Sequence, residues 1–74
     1  MRGIPLYNLP ARQREVLHCI IRHIDDKGQS PTVAEIADAC KTTVQNIQAA
    51  LEALEKKNRI RREKGAPRSI TVVQ

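Results

Sequence analysis

The segment Pro31-Thr32-Val33-Ala34-Glu35-Ile36-Ala37-Asp38-Ala39-Cys40, followed by Lys41-Thr42 and then by Thr43-Val44-Gln45-Asn46-Ile47-Gln48-Ala49-Ala50-Leu51, restricts this chain more than any other part of it. Two helix starts stand so close together that the turn between them has room only to hold two helices at a steep angle. Thr32 followed by Glu35 has the form of a capping box, with Pro31 kept out of the helix interior. Thr43 is the natural N-cap of the next helix. Ile36, Ala37 and Cys40 make one apolar stripe at helical spacing, and Val44, Ile47, Leu51 and Leu54 are expected to make another. Gln45, Asn46, Gln48 and Ala49 are left pointing outward. Amides and small side chains on an open helix face suit the major groove of duplex DNA.

The chain has 74 residues, enough for one domain that buries only roughly 60% of its unfolded surface. No large active-site cavity is expected. Tyr7 is the one aromatic residue, so the core must be built from Ile, Leu, Val, Ala and Cys, and stacking platforms for splayed single-stranded bases are missing. The net charge of +5 is unevenly spread: residues 56–74 hold seven basic residues against Glu63, whereas residues 1–55 hold six basic and seven acidic ones. A neutral body with a basic C-terminal quarter is the footprint of a polyanion binder. The plainer reading, a solvated basic tail, is weakened because these residues flank a strand pattern instead of forming a low-complexity run.

Cys19 and Cys40 lack any CxxC spacing and read as small buried hydrophobes. Neither a metal site nor a cofactor is expected. No apolar run approaches the roughly 20 residues of a membrane span, and Met1-Arg2-Gly3-Ile4-Pro5 has no signal-peptide core, so a cytoplasmic protein with no membrane partner is expected.

Residues 1–8 have no period and read as a flexible arm, with residues 9–74 as the folded domain. A first helix is expected from Pro10 or Ala11 to Asp26 or Lys27, with Val16, Leu17, Ile20, Ile21 and Ile24 as its apolar face and Gly28 as its stop. His18 and His23 do not share a face and read as surface residues. Gln29-Ser30-Pro31 is a short link with one or two residues in extended pairing. Asn58 stands where a left-handed residue ends the third helix. From Arg59 the period becomes two, Lys64-Gly65-Ala66-Pro67-Arg68 carries a turn, and Ile70-Thr71-Val72-Val73 alternates again, which is a β-hairpin with a basic tip. The fold class is mainly α with a small β part: three helices and a C-terminal hairpin, a winged helix-turn-helix.

At this point the sequence resembles the N-terminal DNA-binding domain of the LexA repressor family. Leu9-Pro10-Ala11-Arg12-Gln13-Arg14-Glu15-Val16-Leu17 is similar to the family's opening helix, Ser30 to Ala37 to its second, Leu51 to Ile60 to the end of its third with the first wing strand, and Gly65 to Ile70 to its wing. The resemblance implies that the third helix enters the major groove with Thr43, Gln45, Asn46, Gln48 and Ala49 as base-reading positions. It implies backbone contacts from Arg12, Lys41, Thr42, Lys56 and Lys57, and a wing of Lys64, Gly65 and Arg68 against the backbone or minor groove. The implied partner is double-stranded DNA, a palindromic operator bound by a homodimer, and the implied role is transcriptional repression in the bacterial SOS response or in a phage-infected cell. The sequence departs from the family in a turn one residue shorter at Lys41-Thr42, in amides where the family carries acidic residues, and in ending before a peptidase and dimerisation domain. An excised domain and a short stand-alone regulator both fit that last departure.

The competing reading is a winged-helix protein-interaction module that docks on another regulator. It calls for an exposed apolar patch, for which Ile4, Leu6 and Tyr7 are the spare candidates. A left-handed duplex reader would need Tyr and Trp on the third helix and wing, which are absent. No nucleophile and base pairing, Gly-rich phosphate loop or metal cluster suggests an enzyme.

Overall fold

The computed structural model describes residues 9–63, 65, 66 and 68–73. The arm expected at residues 1–8 and the wing residue Lys64 lie outside the described residues. Helix α1 spans Ala11–Lys27, within the expected bounds, and stops at Gly28 in the left-handed conformation, φ 74°, whose N–H donates to the Ile24 carbonyl. Val16, Leu17 and Ile20 are fully buried, and Ile21 and Ile24 lie half-buried at the edge of the same face.

Helix α2, Val33–Ala39, has only seven residues, too few to hold together without caps and packing. It has both halves of the capping box: the Glu35 N–H donates to Thr32 Oγ1 at 3.1 Å and the Thr32 N–H to Glu35 Oε1 at 2.9 Å. Its far end closes through Lys41, which adopts φ 57°. The Lys41 N–H donates to the Asp38 carbonyl and the Thr42 N–H to that of Ala37, the paired bonds of a Schellman turn. Helix α3, Val44–Lys56, then starts from Thr43, whose Oγ1 accepts the Asn46 N–H at 3.1 Å. It ends on a second Schellman turn, with Asn58 at φ 60°, as its position implied.

The core gathers Leu9, Val16, Leu17 and Ile20 with Ile36 and Ala37 of α2, Ile47, Ala50, Leu51 and Leu54 of α3, and Ile60 and Ile70 of the hairpin. One member of the expected α3 stripe is missing from it. Val44 is 46% exposed, and Ala50 takes part in its place. At about 100° per residue, Ile47, Ala50, Leu51 and Leu54 centre on an arc from which Val44 is turned by about 70°. Val44 also lies in the first turn, ahead of the residues that pack on α1 and α2.

The hairpin ladder is short. Strand β1, Ile60–Arg61, pairs antiparallel with β2, Thr71–Val72, in the register Ile60 to Val72 and Arg61 to Thr71. One further bond from the Val73 N–H to the Arg59 carbonyl extends it. The expected pairing of the Gln29-Ser30-Pro31 link takes a side-chain form instead: the buried Ser30 Oγ accepts the Ile70 N–H at 3.1 Å. That bond ties the returning strand to the start of the helix-turn-helix.

Candidate nucleic-acid interface

The outer face of α3 carries Gln45, Gln48 and Ala49, with Asn46 on its flank, all exposed. These are positions that the core does not claim, because Ile47, Ala50, Leu51 and Leu54 occupy the opposite arc. Their hydrogen-bonding capacity is not equal. Asn46 Nδ2 donates to Thr42 Oγ1 at 2.7 Å, which orients the amide. The hydroxyls of Thr42 and Thr43 accept bonds from Asn46 and so keep their O–H groups for an outside acceptor. Gln48 Oε1 accepts from Arg62 Nη1 at 3.1 Å, while Arg62 Nε donates to Glu55 Oε1 at 3.2 Å.

Arg62 therefore clamps the root of the wing to α3, and Gln48 presents its NH2 donors more freely than its oxygen. The amide pairing with adenine, which needs one donor and one acceptor, is open to Gln45 in this arrangement and constrained at Gln48, where Arg62 takes one of the oxygen's two acceptor positions. Arg62 could not be singled out from the sequence. Its spacing to Gln48 and Glu55 becomes a contact only when the hairpin folds back on α3.

Basic side chains surround this face. Lys41 and Thr42 lie in the α2–α3 turn, and Lys56 and Lys57 close α3. Lys57 Nζ donates to Gln13 Oε1 at 2.7 Å, which brings the first turn of α1 to the end of α3. Arg12 stands in that same turn and pairs with Glu15 at 3.3 Å, both side chains being largely exposed. Gly65 in the wing turn has φ 82°, a conformation that suits glycine, with open space where a Cβ would project.

Arg68 is placed differently from a wing residue free to meet phosphate. Its Nη1 and Nη2 donate to the two carboxylate oxygens of Glu35, each at 2.9 Å, and Nη1 also donates to the Ser30 carbonyl at 3.0 Å. This fork-on-fork pair, followed by the Thr32 N–H, holds the Glu35 carboxyl down at about 2. The same pair raises the Arg68 pKa. His23 joins the cluster: its Nε2 is 3.6 Å from Glu35 Oε1, and Nδ1 is 2.9 Å from the Gln29 carbonyl oxygen. It is thus half-buried and engaged, unlike the surface residue its spacing suggested, whereas His18 is exposed. Two of the cations counted to the basic quarter, Arg62 and Arg68, are paired with carboxylates of the body.

Cys19 of α1 and Cys40 at the end of α2 are free and half-buried. Burial, and then the neighbouring Cys40, push the Cys19 thiol up. Burial, and then the Glu15 charge, do the same for Cys40. No group of three or more His, Cys, Asp or Glu side chains that could hold a metal occurs among the described residues. No helix among them is long and apolar enough to cross a membrane. Val44 is the one large hydrophobic left exposed among them, which is less than a docking patch.

A tight turn joining α2 to α3, with a hairpin clamped beside them, defines a winged helix-turn-helix with α3 as the second helix of the pair. Comparison with known proteins narrows this class. The LexA DNA binding domain family matches residues 7–69, and the chain belongs to that family. It is similar to the LexA repressor of Citrifermentans bemidjiense, 45% identical over 65 residues that cover 86% of this chain and 32% of that protein. It is also similar to the LexA repressor of Thermotoga neapolitana, 42% identical over 67 residues covering 90% and 34%. A third relative is LexA repressor 2 of Nocardia farcinica, 36% identical over 66 residues covering 88% and 27%. The chain spans about a third of the length of the curated relatives it matches.

Proposed function

We propose that this chain binds double-stranded DNA sequence-specifically and represses transcription, with residues 9–74 as the binding unit. The observation that carries the reading is the outward face of α3, where Gln45, Asn46, Gln48 and Ala49 stand exposed between the basic turn at Lys41 and the basic helix end at Lys56 and Lys57. Base edges are read by side chains that keep free donors and acceptors, and phosphates are held by cations at the rim. Thr43, Gln45, Asn46, Gln48 and Ala49 take the first role. Arg12, Lys41, Thr42, Lys56 and Lys57 take the second, with Lys64 and Gly65 carrying the wing to the backbone or minor groove. Arg68 serves by fixing the wing to Glu35.

The operator is a palindrome bound by two copies, in the cytoplasm of a bacterial or phage-infected cell. Selection from random duplex DNA tests this. An enriched motif of two inverted half-sites is the expected result, and a pool that stays random after repeated rounds overturns the proposal.

A further inference from the structure

Val44 opens α3, and it is nearly half exposed in a turn whose other side chains are hydroxyls and amides. Folding gains little from it there. A β-branched residue at an exposed helical position is a poorer helix former than alanine, and the core is closed by Ile47 and Ala50 without it. A recognition helix that enters the groove presents its N-terminal residues to the base edges. The one apolar group in the major groove of unmodified DNA is the thymine 5-methyl.

From this we infer that Val44 is a specificity-determining residue that packs its methyl groups on a thymine 5-methyl, on the flank of α3 that it shares with Gln48 one turn on. The inference rests on the reading of α3 as the base-reading helix. It differs from the amide contacts in needing no hydrogen bond. It also makes the protein sensitive to a methyl group that leaves Watson–Crick pairing unchanged.

The test uses the duplex obtained by selection, with each thymine replaced in turn by deoxyuridine, which removes only the methyl. The protein is expected to lose about fourfold in affinity at one thymine of each half-site, the factor that corresponds to burying one methyl-sized group. Val44→Ala is expected to bind the thymine and deoxyuridine duplexes equally at that position, with an unchanged melting temperature and unchanged discrimination at the positions read by Gln45 and Gln48. A selected duplex with no methyl-dependent position overturns the inference alone, as does a methyl effect that persists undiminished in Val44→Ala. Failure to select any duplex overturns the base-reading role of α3 and this inference with it.

Discussion

At the scale of single residues, the interface is shaped by which donors and acceptors are already taken. Gln48 lends its carbonyl oxygen to Arg62, so its preference should depend on a side chain that need not touch DNA. In Arg62→Ala the freed amide is expected to tolerate adenine better at the position Gln48 reads, whereas discrimination at the Gln45 position stays unchanged. Affinities on duplexes varied one base pair at a time measure this, and an unaltered profile would show that the clamp opens on binding. Lys41 is a second such case, because it holds φ 57° in a turn where glycine is the easier choice. A non-glycine residue there carries strain of about 1 kcal/mol. Lys41→Gly is therefore expected to leave thermal stability equal or higher by up to that amount while weakening binding to specific and random duplex alike. Loss of stability together with intact binding would remove Lys41 from the phosphate contacts.

At the scale of elements, caps and clasps decide the geometry of the site. Thr43→Ala removes the acceptor for the Asn46 N–H and is expected to destabilise the domain by about 1 kcal/mol, read as a lower denaturation midpoint. The wing is held through Arg68 and Glu35. Because the Glu35 carboxyl is held at about 2 against its ordinary 4.5, the clasp's contribution is complete above the ordinary value and is lost as pH falls from there toward about 2. Unfolding followed between pH 2 and 6 should show this loss in the wild type, and Glu35→Gln should flatten that part of the profile; superimposable profiles would contradict the clasp. The helix limits were legible in the sequence because Gly28, Thr32 with Glu35, Thr43 and Asn58 act on their own neighbours within a turn. The surroundings of Val44, Arg62, Arg68 and His23 are not legible in the sequence because they depend on how other elements pack. A helical stripe does not show where its first turn outruns the core, and a basic residue in a hairpin does not show which carboxylate the folded wing brings to it.

At the scale of the whole molecule, a single module of this kind buries only roughly 600 to 1,000 Å² of its surface on DNA, which limits the affinity of one copy. In the proposed arrangement two copies on an inverted repeat would overcome that limit, and the two-fold symmetry of the site should mirror that of the bound pair. Sedimentation is expected to show a monomer or weak dimer in free solution and two proteins on each selected duplex. The basic surface works at this scale as well. Lys56→Ala is expected to reduce the slope of log affinity against log salt by about 0.9 if it neutralises one phosphate, and an unchanged slope would leave that lysine in solvent. The proposal that specificity resides in α3 is tested most directly by the ratio of affinities for the selected and a scrambled duplex. Gln45→Ala is expected to lower that ratio by roughly 1 to 3 kcal/mol while hardly moving binding to the scrambled duplex. Full discrimination retained in Gln45→Ala, and again when Asn46 and Gln48 are also replaced by alanine, would contradict the assignment of α3 as the reading helix.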